Sequence, residues 1–564
     1  MHFLRFLLLM AAILGCRPSA QAESIPAPAV LPDDAAFLVV CVPDLMAALE
    51  RLEQVGIAIN PEMPKGMMKM GLSQALDDPE MKNLGKGPVA IIIAPGVPMP
   101  IISLVIPAIQ PQTYLDALTK NGSMGKIVGN NVVVSQLPDG IDLGELLCLQ
   151  MTALSSVPVQ GDLRVLVRLD RVVTAYGPFL AQMAMSLGAA GGNQPGQQHA
   201  AKLMPLYAAL LQLVGAEMET MQCDLSLNPK AIVATVTTAA KAGSPLAKAL
   251  VAPAAGVFAA EKRLGATTEA VRVAGQINHA AMCAYTKQLL ETLQKRPEAK
   301  DLITDQVLAL IDRARAGYTG DWAMSLGKGN NKEGPAYVVR QALCVADGTA
   351  ALDLQFGMLT HMFSEKTVLG KMYNDLGLSL KIARDQRSIG AAKVQKITMI
   401  MDDAKMPPGV AAVWKRAMLD TEFTVTNGFM LISQGAPIDG LVSATGKPAP
   451  LKARSDFGPG KALYADINLA NLVQIFFQFM PFPTPGMDEA LQKLPLADPV
   501  TTATSLAGGR VRTEWSLPTK SIAELQRAIS ENFRTQHQQR RQNQQNEEEK
   551  EEVDQSAKDG AAVF

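Results

Sequence analysis

The chain has 564 residues, with 52 Lys and Arg against 53 Asp and Glu, for a formal net charge of −1. At roughly 150 residues per domain, that length corresponds to three or four domains. The charge balance excludes the basic footprint of a nucleic-acid binder, so no nucleic-acid partner is expected. Hydrophobic residues make up 48% of the chain and mean hydropathy is +0.12, which excludes disorder of the main body because apolar surface is ample to offset chain entropy.

Residues 1–22 read as a secretory signal. Arg5 supplies positive charge, Phe6 to Gly15 form an apolar run, and Ala20-Gln21-Ala22 gives a small-x-small cleavage site before Glu23. The run is too short to span a bilayer. Ile13-Leu14-Gly15-Cys16 also resembles a lipobox, which would make Cys16 the acylated first residue of the mature chain; the two processing routes are alternatives. Export to the periplasm, outer envelope or extracellular space is the expectation, with membrane attachment only through a lipid on Cys16.

Residues 87–115 carry no charge, but Pro88, Pro95, Pro98, Pro100, Pro107 and Pro111 exclude a spanning helix. Two buried strands, Val89–Ala94 and Ile101–Ile106, joined by a Pro95–Pro100 turn fit the pattern. Beyond the signal, Cys41, Cys148, Cys223, Cys283 and Cys344 are odd in number and irregularly spaced. They do not form a disulfide framework, and buried free thiols are expected.

One apolar spacing recurs along the chain. It runs Leu38, Val40, Val42, Leu45, Met46, Leu49, and again Val165, Val167, Leu169, Val172, Val173, Tyr176. It returns 300 residues later as Ala465, Ile467, Leu469, Leu472, Val473, Phe476, and more weakly as Val273, Gly275, Ile277, Ala280, Ala281, Ala284. The switch from period two to helical spacing predicts a strand running straight into an amphipathic helix. Asp44, Asp170, Asn278 and Asn471 lie near the junctions, where short polar side chains cap first turns.

Hairpins are predicted at Thr220–Leu227 with Ala231–Ala240, at Val500–Leu506 with Arg510–Leu517, and around Gly129-Asn130 and Asn427-Gly428. The fold class these elements imply is α+β and internally duplicated. Antiparallel sheets carry helices on one face, in β-α-(α)-β-β-α units close to the split βαβ of ferredoxin-like modules. Two halves are expected, 31–255 and 256–530, joined near Pro253–Gly256. Met185–Ala200 reads as a mobile loop. A Gln/Glu-rich tail, 531–564, has five basic and eight acidic residues over 531–560 and is expected to be disordered.

Chemistry-bearing patterns are sparse. No nucleophile elbow is present, and no cofactor motif is read. The loop 327–334 lacks the Gly-Lys-Ser/Thr ending of a phosphate-binding loop. His279 and His361 are the candidate bases of an exported hydrolase, and His279 with Cys283, four apart on one helix, could face a metal, although two further ligands are not apparent. Methionine is abundant, at 28 residues. Met63, Met67, Met68 and Met70 cluster, with His361 between Met358 and Met362 as a further ligand, so a Cu(I) site of soft thioethers is a second reading. The leading one is a non-enzymatic exported binding or envelope-associated structural protein, whose partner would be an apolar ligand seated in a groove or another envelope protein.

The segment Pro32 to Leu52, with Pro32, Asp34 and Ala35 in a P-x-D-A pattern, and the later Asp162–Val165 with Val167, resembles a group of uncharacterised exported bacterial proteins. That resemblance implies architecture and localisation and brings no activity.

Overall fold

The computed structural model describes residues 37–561 apart from 97–99, 121, 157–160, 178–194, 253–257, 265–268, 298, 301, 330–334, 406–415, 417–419, 444–450, 479–490, 492–493 and 495–497. The signal, Cys16, the P-x-D-A segment, the Pro253–Gly256 join and most of the Met185–Ala200 segment therefore lie outside the described residues.

Four times the chain runs from a strand through helices into an antiparallel hairpin. The first unit comprises β1 (Leu38–Val42), α1 (Leu45–Ile59), α2 (Met67–Ala75), β2 (Val89–Ala94) and β3 (Ile101–Pro107). It is extended by α3 (Pro111–Thr119), β4 (Met124–Val128), β5 (Asn131–Ser135) and α4 (Pro138–Ser156). The second has β6 (Leu163–Arg168), helical residues 169–177, α5 (Pro195–Glu217), β7 (Met218–Leu227), β8 (Ala231–Ala240) and α6 (Pro245–Ala249).

In the third, a 3-10 turn (Ala260–Arg263) precedes β9 (Glu269–Gln276), α7 (His279–Gln294), α8 (Asp305–Gly317), β10 (Tyr318–Lys328) and β11 (Tyr337–Val345). Its extension is α9 (Gly348–Phe363), α10 (Val368–Asp375), β12 (Leu378–Ile389), β13 (Ala392–Met401), β14 (Thr421–Thr426), β15 (Phe429–Gln434), α11 (Asp439–Val442) and α12 (Lys452–Phe457). The fourth has β16 (Leu463–Ile467), α13 (Leu469–Phe477), β17 (Val500–Ala507), β18 (Arg510–Pro518) and α14 (Thr519–Ala561).

The strand–helix junctions are fixed by caps. Asp44 accepts from the Ala47 amide and Asn278 from the Ala281 amide. In the fourth unit Asn468 is the cap, accepting from the amide of Asn471, and Asn471 donates to the Glu269 carbonyl instead. Asp170 pairs with Arg168 at 3.0 Å.

All strand pairings are antiparallel among the described residues, and they join the units into one sheet. Its order is β4-β5-β3-β2-β1-β6-β7-β8-β18-β17-β16-β9-β10-β11-β15-β14-β13-β12. Within each unit the strand after the helices lies beside the first strand and runs against it, whereas a split βαβ unit places two strands parallel.

Helices cover both faces of the sheet rather than one. Val133 of β5 packs with Leu143 and Leu147 of α4, while its neighbours Val132 and Val134 pack with Tyr114 of α3. Likewise Leu431 faces Leu441 and Ala453 of the short helices α11 and α12, and Met430 and Ile432 face Phe356 and Leu359 of α9. Strand residues apolar on both sides override simple alternation, so one-sided packing was the wrong inference from the hairpins.

The largest buried cluster crosses the boundary between the halves, joining Leu206 and Ala209 of α5 and Leu246 of α6 to Met282, Tyr285 and Leu289 of α7. Residues 531–561, expected to be disordered, continue α14 as one 43-residue helix. Its first turns are anchored in the body through Ala523 and Ala528, which removes the nucleation cost. The Glu, Gln, Lys and Arg beyond them are strong helix formers that propagate it.

Gly275, the weak point of the fourth copy of the spacing, has a packing reason. It lies opposite Trp322 in the ladder, and a Cβ there would stand 2.7 Å from the indole. The Trp322 ring occupies the space that the other repeats give to a side chain. Gly275→Ala should therefore destabilise the fold by about 1–3 kcal/mol through overpacking. Thermal unfolding measured beside the wild type checks this, and an unchanged Tm contradicts it.

Candidate functional site

An opening among the described residues lies where the β2–β3 hairpin meets α4 and residues 169–177. Two Gly residues let α4 sit close on the sheet: a Cβ at Gly140 would meet Ser135, and one at Gly144 would meet Val133 and Ser103. Ser135 donates to the Ile102 carbonyl and accepts from the Leu137 amide, which fixes the entry into the helix. Phe37 stacks edge-on against Tyr176 at 5.7 Å, holding the opposite wall.

Between these walls are two adjoining hollows of about 600 and 520 Å³. Ala94, Pro95, Ile101, Leu143 and Ala175 give apolar surface, with Asp139, Arg171 and Thr174 as polar groups. Such an arrangement holds an apolar body and orients one polar end. Sequence reasoning placed no candidate here. The Gly140/Gly144 spacing and the Pro95 turn were the available signals, and both read equally well as packing and punctuation.

The sequence candidates lie elsewhere and are not brought into one site. His279 Nε2 is 2.6 Å from the Ala314 carbonyl, which fixes the N–H on that nitrogen. Burial lowers its pKa from the ordinary 6.5, the Ala314 bond opposing this. Cys283 Sγ is 3.5 Å from His279 Nε2, but burial pushes its thiol pKa up to about 12. Both groups are neutral near pH 7, so the pair is not an activated thiolate nucleophile. Tyr318 lies edge-on to His279 at 5.9 Å and donates to Met430 Sδ.

His361 is buried in α9, with Nδ1 3.4 Å from Gln306 Oε1 and its pKa lowered by burial. In α2, Met67 and Met70 are exposed and Met68 is half-buried, while Met63 lies against Gly56 of α1. A hollow of about 590 Å³ lined by Gly66, Lys69, Met70, Ser73 and Asp77 adjoins them. Strands β1, β6, β7, β8, β18, β17, β16, β9 and β10 intervene between the sheet under α2 and that under α9, so His361 is no fifth ligand to the methionine cluster. Among the described residues no three His, Cys, Asp or Glu side chains converge as a metal site. The five cysteines from Cys41 to Cys344 are free thiols. No helix of the described residues is long and apolar enough to cross a membrane.

Comparison with protein-family models, with curated proteins and with solved structures finds no match.

The buried imidazole sets a pH dependence. A base whose folded pKa lies below its ordinary value takes up protons mainly when unfolded, so the stability it leaves intact above pH 6.5 is lost as pH falls below that point. His279→Gln, which keeps an N–H near Ala314, should flatten the fall in urea stability between pH 6.5 and the acid limb. An unchanged slope would show that His279 already titrates normally.

Proposed function

We propose that the protein is an exported, non-catalytic binding module of the cell envelope, taking an amphiphilic ligand in the cleft between the β2–β3 hairpin, α4 and residues 169–177. The observation that carries this reading is the cleft wall itself. Its surface is mainly apolar, with one carboxylate and one guanidinium, Asp139 and Arg171, among its lining groups. That combination suits a chain-like or ring-like apolar body with a single polar end. The neutral character of the His279–Cys283 contact supports binding over hydrolysis at that pair.

Export rests on the sequence of residues 1–22, with cleavage before Glu23 or acylation at Cys16 as the two routes. The repeated strand–helix–hairpin units support descent by internal duplication, with the longer first and third units as elaborated copies. In the ligand reading, the first unit's extension is the part that adds the binding site.

Fluorescence titration of the full-length mature protein with a dansyl-labelled fatty acid tests the cleft. Saturable one-to-one binding is expected, and Ala175→Trp, which fills the cleft from an exposed position, should weaken it about tenfold or more. Absence of saturable binding, or binding untouched by that substitution, overturns the reading. The intact mass of protein recovered from expressing cells tests export separately. Chains starting at Glu23 or bearing lipid on Cys16 are expected, and only unprocessed chains starting at Met1 would refute it.

A further inference from the structure

The two edges of the sheet are treated differently. At one end β12 pairs, among the described residues, only with β13 and is interrupted between Ala383 and Arg387 by a register shift, with Asp385 at φ 48°. Lys381, Arg384 and Arg387 lie along it, and α10 packs against it. Bulges and charges of this kind prevent an edge from pairing with another strand.

At the other end β4 has no bulge and a single charge, Lys126, although α3 and α4 pack against it. Among the described residues it pairs only with β5, in unbroken register, and four of its five residues, Met124 to Ile127, are exposed. The two-residue turn Gly129-Asn130 makes Val128 and Asn131 the closing hydrogen-bonded pair, so alternation turns the N–H and C=O of Gly125 and Ile127 outward. Exposed apolar side chains flank this free edge: Met124 at 47%, Ile127 at 37% and Leu146 of α4 at 43%. The strand's one charge, Lys126, is engaged by Glu145 of α4.

The molecule also shows what such an edge accepts. Its units are joined three times by antiparallel pairing of equivalent strands: β1 with β6, β9 with β16, and β8 with β18. We propose that β4 is a homodimer edge, pairing antiparallel with β4 of a second copy to continue the sheet across a two-fold axis. Registers centred on Gly125 or Ile127 set Lys126 opposite Met124 or Val128 of the other copy, and so avoid the like-charge pair that a register centred on Lys126 would create. An isologous contact of this kind closes at two copies.

Sedimentation velocity of the full chain over a concentration series tests the proposal, with hydrogen exchange followed on the peptide spanning β4. A dimer that dissociates on dilution is expected, with exchange at β4 slowed in the dimer. Ile127→Pro removes an outward N–H without touching the β4–β5 ladder, and Ile127→Lys adds a charge at the same exposed position. Each should weaken dimerisation about tenfold or more with the far-ultraviolet circular dichroism unchanged. Should Ile127→Pro fail to fold, Ile127→Lys decides alone. A monomer at every concentration overturns the proposal, as does a dimer that survives Ile127→Lys or shows no slowing of exchange at β4.

Discussion

The antiparallel ladder between β8 and β18 is the constraint on which the architecture depends. It sets Arg510 opposite Ala239 and Pro518 opposite Ala231, so the last described strand pairs with one that precedes it by nearly half the sequence. Without that ladder the molecule would be two sheets, each with an unprotected edge in the middle. The helices depend on it too, because α5 and α6 reach α7 only when β8 is held beside β18. Such a contact has high sequence separation, and its loop-closure cost has to be met before it yields any stability.

Charged groups lie close to this seam on one face of the sheet. A row of directly opposed residues on one face runs Cys41, Arg164, Asp224, Thr235, Glu514, Ala503, Tyr464, Ala274, Ala323, Ala342, Leu431. Its charges, Arg164, Asp224 and Glu514, fall towards the first end, and from Ala503 to Leu431 no residue in it is charged. Arg164 and Asp224 are paired at 2.6 Å, and Lys461 and Arg512 both hold Glu514. Buried ion pairs of this sort are weak sources of net stability, but a slip of β6 against β7 would part Arg164 from Asp224 and leave each buried and alone. Short helices then close the same face through strand carboxylates. Asp321 accepts from the amides of Ala259 and Ala260, and Asp466 from those of Lys452 and Ala453.

Much of the local structure was legible in the residues. Strands at Val89–Ala94 and Ala231–Ala240, the turns at Gly129-Asn130 and Asn427-Gly428, and the caps at Asp44 and Asn278 are decided by neighbours in sequence. What could not be read was decided at a distance. Antiparallel joining of the units depends on which free edges meet, and two-sided helix cover depends on strands such as β5, buried at four of five positions. Gly275 looks like a defect in the repeat until Trp322, nearly fifty residues later, is placed over it. The cleft was invisible for the same reason, since its walls come from three segments that each look ordinary alone. The chemistry-bearing residues misled in the opposite way. His279, Cys283 and His361 stood out by type, yet burial neutralises them, and Met63 to Met70 separate into inward and outward faces of one short stretch.

The four units divide by the way their third strand is continued. In the second and fourth, that strand is β8 or β18, and the two find each other. In the first and third it is β3 or β11, and each is instead continued by a later hairpin, β5 with β4 or β15 with β14. A third strand left bare would be an open edge in the body of the sheet, so every unit has to be joined to an equal or extended by an addition. The extended units are therefore free to differ without disturbing the centre. The third adds β12 and β13 and the short helices that seal one face, and ends in a bulged edge. The first adds one hairpin and α4, and in doing so leaves both a cleft and an unblunted strand. The units differ most at the ends of the sheet, because the middle is fixed by the pairing of equivalent strands.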